Sequence, residues 1–562
     1  MTDAQLTTLC GEVRWLILKR VAAVGGHLAS NLGTVELITA LYAEVDPLSA
    51  RVIYDGAHQA YTHKILVDRL SAFTDSELFK TIGTATSTNE STYDHVTFGH
   101  GGFGASALCG FARAEADRQC VLVLSDACLG TGISFEGLNN LAELKRNVVV
   151  VVNDNDRSIM ANVGGVYQSL AALRASVGES PLNFFKALGF DYIHVANGHS
   201  VADLRLAFNH ALSVDRPVVV HVVTEKGHGY AAAAANPEAW HYCNGGFDLL
   251  RPVSNYFTGD PTNVNTERSI SVHVDRKLAE LVDTGVDVLA ITPAMPDVGF
   301  GELLRSKHGH FVDVGIAEEH AVVEAVTASL AGRRPVVGTY STFFQRMIDS
   351  LLNVAVPNHA NVVILLHETG LNDSKLLQQG VYDVALARVA HDVTILAPVS
   401  VLDTVEALDY TLTNDLGPVV VRLPAVPGDD VHLDLAWRVV RLGGPILVLA
   451  VGDLLPLGVE VAERLDATLV NPQVVTDLSF LSTVKTNLVV TLENGVVSGG
   501  FGESVAAALP GIPVLVNGVP FVNYDDPMND YLSVKMSKCG LSADAVVAAA
   551  KLVIDNQWTI IK

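Results

Sequence analysis

Residues 117 to 160 constrain the chain more than any other stretch. The run DRQCVLVLSDACLGTGISFEGLNNLAELKRNVVVVVNDNDRSIM holds two uninterrupted apolar segments, Val121 to Leu124 and Asn147 to Val152, with a helix-length segment between them. Continuous rather than alternating apolar residues mark strands covered on both faces, as in a parallel sheet. Each segment stops at a small polar cluster: Ser125-Asp126-Ala127 after the first, Asn153-Asp154-Asn155-Asp156 after the second. Ligands of such sheets sit at the carboxyl ends of the strands. Asp126 and Asn155 are therefore candidate oxygen donors to one hard cation such as magnesium, although Asp and Asn also end strands for turn reasons.

A chain of 562 residues implies several domains, each able to bury its own core. The excess of 61 acidic over 37 basic residues, a net charge of -24, argues against nonspecific nucleic-acid binding. An anionic small molecule would then need a local site built from metal, lysine or backbone N–H groups. The six cysteines are scattered without CxxC spacing, which fits free thiols in a reducing, cytoplasmic compartment. The first twenty residues lack a signal-peptide layout and no apolar run reaches about 18 residues, so neither secretion nor a membrane span is expected.

In chain order, residues 5 to 22 read as an amphipathic helix. GGHLASNLGTVELITALY is a glycine-rich turn releasing into a helix at about Val35, with His27 where the backbone is permissive. RVIYDGAHQAYTHK places His58 and His63 after a short strand; three histidines so widely spaced, without cysteine partners, do not make a zinc motif. Residues 84 to 110, which include Gly99-His100-Gly101-Gly102, read mostly as a polar active-site loop. The strand PVVVHVV ends in Thr224-Glu225-Lys226-Gly227-His228-Gly229-Tyr230, so Lys226 would reach the same sheet edge as Asp126. Residues 251 to 268 read as a linker, and a second βαβ rhythm runs from about 269 to 428. Glu318 and Glu319 open a helix there, where acidic residues also suit the helix dipole. Residues 429 to 442 read as a bridge into a third unit, in which Asn494 to Gly502 reads as a loop before a helix.

With the central stretch, GGHLASNLGTVEL, YDGAHQAYTHK, VTEKGHGY, DVGIAEEHAV and TYSTFFQRMID in view, the chain resembles the 1-deoxy-D-xylulose-5-phosphate synthases, thiamine-diphosphate enzymes of the transketolase superfamily. The resemblance runs almost end to end, with the motifs in family order. It implies an α/β fold of three domains with mainly parallel sheets: a diphosphate-binding domain (1–268), an aminopyrimidine-binding domain (269–430) and a smaller C-terminal domain (431–562). It also implies a homodimer. Thiamine diphosphate and Mg²⁺ are the implied cofactors, with Asp126, Asn155 and the carbonyl of Arg157 as metal ligands. Lys226 is directed at the diphosphate, and Ala127 and His100 lie beside the cofactor. Glu318 hydrogen-bonds the aminopyrimidine and promotes its imino tautomer, Phe343 packs on that ring, and Tyr340 and Arg346 stand close by. His27, His58 and His241 match active-site histidines that move protons. The implied reaction decarboxylates an α-keto acid, with pyruvate expected, and transfers the two-carbon unit to an aldehyde.

Three departures stand out. Ser125-Asp126-Ala127 replaces a family Gly-Asp-Gly, which adds two Cβ atoms where backbone approaches the cofactor. Gly101 and Gly102 replace two serines. On the acceptor side, Glu368 stands where the family has an arginine, Gln378 where it has a histidine, and Ala425 where it has a second arginine. Those two arginines hold the acceptor phosphate in the family, and a glutamate repels a dianion. The expectation is therefore an acceptor other than glyceraldehyde 3-phosphate. The alternatives are ordinary synthase activity, ketose cleavage as in transketolase, and a noncatalytic cofactor-binding homologue.

Overall fold

The computed structural model describes residues 1–250, 269–372, 378–425, 427–520 and 532–555. The expected linker at 251–268 and part of the acceptor loop (373–377) lie outside them. The chain forms two compact units: Met1–Pro261 with Gly315–Ala317, and Thr262–Val314 with Glu318–Lys562.

The first unit opens with helix α1 (Asp3–Val24), started by a capping box between Thr2 and Gln5. Then follow β1 (Gly25–His27), α2 (Val35–Glu44), β2 (Arg51–Asp55), α3 (Gly104–Ala114), β3 (Cys120–Ser125), β4 (Val148–Asp154), β5 (Asp191–Val195), β6 (Pro217–Val223) and β7 (Tyr242–Asn244). The sheet runs β2-β3-β4-β6-β5 with every pair parallel. Val148 to Val152 are all buried, as an apolar run sandwiched between helices should be. β1 and β7 form a separate antiparallel ribbon.

The second unit carries two sheets. The first contains β8 (Val288–Thr292), β9 (Phe311–Asp313), β10 (Arg334–Tyr340), β11 (Val363–His367), β12 (Thr394–Leu396) and β13 (Val419–Arg422), ordered β12-β13-β11-β10-β8-β9 and wholly parallel. The second contains β14 (Trp437–Arg441), β15 (Gly444–Ala450), β16 (Ala467–Pro472), β17 (Leu488–Val496) and β18 (Val514–Val519), ordered β14-β16-β15-β17-β18, with only β14 antiparallel.

Three expectations need correction. The bridge at 429–442 contains β14, an edge strand with Val439 and Val440 exposed. The loop expected from Asn494 begins later, because β17 continues through Val496. Residues 84 to 97 are pinned rather than loose. Glu90 accepts from Gly83 N at 2.6 Å and pairs with buried Lys64, while buried Asp94 meets His63 at 2.7 Å, Arg69 at 2.6 Å and Ser87 N at 2.8 Å. His63 thus anchors this segment.

Candidate active site

In the first unit, register brings four strand ends to one level. Asp55 lies opposite Leu124, Ser125 opposite Asn153, and Asp154 opposite Val223. The residues that follow, among them His58, Asp126, Asn155 and Lys226, therefore rise from one carboxyl edge. The β1–β7 ribbon sets His27 opposite Tyr242, and Leu28 N donates to His241 O at 3.2 Å, which brings two further histidines there.

Asp126 is completely buried. Its Oδ2 accepts from Asn155 N at 3.0 Å, Arg157 N at 3.2 Å and Asn162 Nδ2 at 3.0 Å, and its Oδ1 from Ala127 N at 2.9 Å. Burial and then the Asp154 charge push this carboxyl up to about 7. The neighbouring Asn155 Oδ1 is buried without a hydrogen-bond partner. A desolvated carboxylate beside an orphaned amide oxygen is the donor chemistry of a hard divalent cation, so these residues fit magnesium. Behind them Asp154 pairs with Arg174 at 2.7 Å and with His221 at 2.7 Å, whose other ring nitrogen meets Tyr192 OH at 2.7 Å.

The extra side chain at Ser125 is accommodated. Ser125 Oγ caps the short helix Asp126–Leu129 by accepting from Cys128 N, and it occupies space that opens because Gly56 has no side chain: a Cβ there would lie 2.5 Å from Ser125 Oγ. Tyr167 OH donates to the carbonyl of Ala127 at 3.3 Å. The glycine-rich loop with His100 is held by Asp55, which accepts from Gly102 N at 2.7 Å and Gly104 N at 2.6 Å. A Cβ on Gly101 would lie 2.5 Å from Cys128 Sγ, and one on Gly102 (φ +101°) would collide with Thr131 Oγ1. The thiol and hydroxyl of these neighbours fill the volume that serines would need.

Lys226 is buried. Its ammonium donates to Ser158 O and lies 3.1 Å from His241 Nδ1. Desolvation brings it down to about 8, with the Asp126 charge opposing. Desolvation and then the Lys226 charge hold His58 down at about 4 and His241 well below the usual imidazole range. The rings of His27 and His58 stack at 3.6 Å and 10°, and His241 stands edge-on to both at 5.3 and 5.1 Å. Donor atoms of all three come within 4.8 Å. Imidazole lone pairs lie in the ring plane, however, so the two parallel rings of His27 and His58 cannot both point at one metal.

In the second unit, Glu318 opens helix α4 (Glu318–Leu330) and is 2% exposed. Burial raises its carboxyl above the usual range against the pull of Arg346, whose guanidinium stands 3.5 Å away. After β10 the chain turns through Ser341–Met347, where Phe344 is fully buried and Phe343 half-buried. The Phe343 ring lies parallel to Tyr340 at 6.3 Å, and Tyr340 OH donates to Asp297. Tyr340 is the register partner of His367. Glu368 follows in the left-handed region at φ +51°, with its side chain 35% exposed. Its carbonyl and that of Gln378 both accept from Asn372 Nδ2, at 3.2 and 3.4 Å. Ala425 is exposed, and Arg422 is buried against Asp383 at 2.7 Å. Nothing local in the sequence marks Asn162, Asp297, Arg174 or His221; of these side chains and Asp154, only Asp154, inside Asn-Asp-Asn, carries a signal.

Three family profiles match. "1-Deoxy-D-xylulose-5-phosphate synthase" covers residues 1–179, "Transketolase, thiamine diphosphate binding domain" 106–263, and "Transketolase, pyrimidine binding domain" 269–425. Among curated relatives, the 1-deoxy-D-xylulose-5-phosphate synthase of Desulforudis audaxviator is 33% identical over 98% of this chain and 95% of its own length. That of Lachnoclostridium phytofermentans is 32% identical over 96% and 95%. 1-Deoxy-D-xylulose-5-phosphate synthase 1 of Geobacter sulfurreducens is 33% identical over 92% and 90%. The chain belongs to the 1-deoxy-D-xylulose-5-phosphate synthase family.

It is accordingly a thiamine-diphosphate-dependent transferase with a transketolase-like three-domain α/β fold. Among its described residues no helix is long and apolar enough to cross a membrane. Membership corrects the acceptor expectation. These three relatives, matched over nearly the whole of the chain, are named for making a phosphate ester, which overturns the expectation of a non-phosphorylated acceptor. One charge at Glu368 does not decide the acceptor. With over a third of its side chain in water, that carboxylate is screened by solvent.

Proposed function

We propose that this chain is an authentic 1-deoxy-D-xylulose-5-phosphate synthase, joining two carbons of pyruvate to glyceraldehyde 3-phosphate with loss of CO₂. The carbon count agrees: a three-carbon keto acid loses one carbon, and the remainder joins a three-carbon phosphorylated aldehyde to give a five-carbon phosphate. The observation that carries the reading is the cation-ready pair of Asp126 and Asn155 Oδ1 beside the Lys226 ammonium, in a chain whose full-length relatives are synthases.

Thiamine diphosphate, when bound, supplies the electron sink that allows a keto acid to lose CO₂. Asp126, Asn155 Oδ1 and the carbonyl of Arg157 would hold Mg²⁺ against the diphosphate, and Lys226 adds a second positive charge. Glu318, with its carboxyl kept protonatable by burial, holds and returns a proton at its Oε toward the aminopyrimidine. Phe343 offers that ring a half-buried aromatic face. The desolvated His58 and His241, with His27 stacked on the former, are neutral at pH 7 and so accept or pass protons at ring nitrogens near substrate oxygens. We assign the acceptor to the edge containing Tyr340, Glu368, Gln378 and Ala425, and the working unit to a cytoplasmic homodimer.

The test is turnover of purified protein with pyruvate, glyceraldehyde 3-phosphate, thiamine diphosphate and Mg²⁺. Equal amounts of CO₂ and 1-deoxy-D-xylulose 5-phosphate are expected. Two-carbon transfer from a ketose without CO₂ would overturn the proposal.

A further inference from the structure

A second polar cluster of the first unit, Glu36, His199 and His228, lies under the loop that carries Lys226. Its donor atoms come within 4.8 Å of one another, as in a metal site. The rings of His199 and His228 nevertheless stack at 3.5 Å and 11°, so their lone pairs run parallel and cannot converge on one ion. Both nitrogens of His199 are moreover engaged. Its Nε2 faces Glu225 N at 2.9 Å, and its Nδ1 faces Glu36 Oε2 at 3.2 Å.

These contacts settle where the ring proton sits. A backbone N–H can only donate, so Nε2 must keep its lone pair and the proton lies on Nδ1, pointing at Glu36. Glu36 is buried and held by Arg14 Nη2 at 2.5 Å. Although burial works the other way, the His199 and Arg14 contacts bring its carboxyl down to about 2. Arg14 Nε also donates to His228 O at 3.1 Å, and His228 Nδ1 meets Glu225 Oε2 at 2.9 Å. Two further bonds fix the loop, Thr224 N to Asp154 O at 2.9 Å and Gly227 N to Ala29 O at 2.8 Å. The backbone on both sides of Lys226 is therefore held, and on the Glu225 side the holder is an imidazole whose tautomer is set by a carboxylate.

We propose that Glu36 and His199 are positioning residues for Lys226: the Arg14–Glu36–His199 chain clamps the Glu225 amide and thereby aims the lysine at the cofactor diphosphate. The inference rests on the reading of Lys226 as the diphosphate lysine.

The test is a double-mutant cycle on the full chain, measuring the Kd of thiamine diphosphate at saturating Mg²⁺ by calorimetry. Lys226→Met should weaken binding by about 10- to 100-fold, the worth of a hydrogen bond to a charged group. His199→Ala should weaken it about 10-fold, and the double variant should match Lys226→Met alone. His199→Gln, whose Oε1 can take the place of Nε2, should recover affinity. If His199→Ala does not fold, His199→Asn, long enough for Glu36 but too short for the Glu225 amide, must show the same loss. An unchanged Kd in the His199 variants, or a loss that adds fully to that of Lys226→Met, overturns the proposal while leaving the role of Lys226 intact. An unchanged Kd in Lys226→Met overturns that role, and the clamp with it.

Discussion

Asn162 illustrates how a residue without a sequence signature can govern a site. Its amide holds Asp126 Oδ2 at 3.0 Å, on the same oxygen that takes the Asn155 and Arg157 amides. Partners of a metal ligand usually contribute 10- to 100-fold to affinity. Asn162→Ala should therefore weaken Mg²⁺-dependent cofactor binding by about 10-fold or more, read as the Mg²⁺ concentration giving half-maximal activity. Glu318 stands at the other extreme, because a motif announces it. Glu318→Gln keeps its volume and removes its exchangeable carboxyl proton, so kcat should fall by about 10²- to 10⁴-fold. The thermal midpoint should hardly move. A variant with wild-type kcat would remove Glu318 from the chemistry.

Elements were legible where the chain is buried on both faces. Val121 to Leu124 and Asn147 to Val152 emerge as Cys120–Ser125 and Val148–Asp154, because a parallel strand sandwiched between helices tolerates only apolar residues. Trp437–Arg441 is not legible because an edge strand with exposed valines and flanking arginines has no such signature. The pinning of residues 84 to 97 is equally hidden, since its partners His63, Lys64 and Arg69 lie 25 to 31 positions away in sequence and nothing local encodes them. The motif positions of Asp126 and Glu318 could be read, but not the way Cys128 and Thr131 fill the space beside Gly101 and Gly102. Restoring a serine by Gly101→Ser should overpack this loop and cost about 1–3 kcal/mol, seen as a lower denaturation midpoint. Adding Cys128→Ala should return most of that loss. The helix Phe501–Ala508 supplies a pH test. Glu493 caps it by accepting from Phe501 N and Gly502 N, both at 2.8 Å, and burial pushes its carboxyl up to about 7 from an ordinary 4.5. A carboxyl raised on folding stabilises below its unfolded value and loses that contribution as pH climbs through its folded one. The gap corresponds to about 3 kcal/mol between pH 4.5 and pH 7. The stability advantage of wild type over Glu493→Gln should accordingly shrink from pH 5 to pH 8; a constant gap would contradict this.

At the scale of the whole molecule, the problem is binding a diphosphate to a chain of net charge -24. Long-range attraction works against the ligand, so affinity must come from charge placed locally. In the first unit that charge is the buried Lys226, near the Asp126 carboxyl that burial and then the Asp154 charge push up to about 7. On the proposed reading a cation makes Asp126 an asset, because without one the diphosphate and the carboxylate repel each other. The cofactor should therefore stabilise the fold only together with Mg²⁺. A ligand at 100 times its Kd adds about 2.7 kcal/mol, which for a unit of roughly 250 residues raises the midpoint by about 5–10 °C. Thermal scans should show that rise with thiamine diphosphate and Mg²⁺ together, little change with either alone, and reversal by EDTA. Equal stabilisation by thiamine diphosphate in EDTA would mean that Lys226 suffices, and Asp126 and Asn155 would then have to be reassigned from metal ligands to strand-end turn residues.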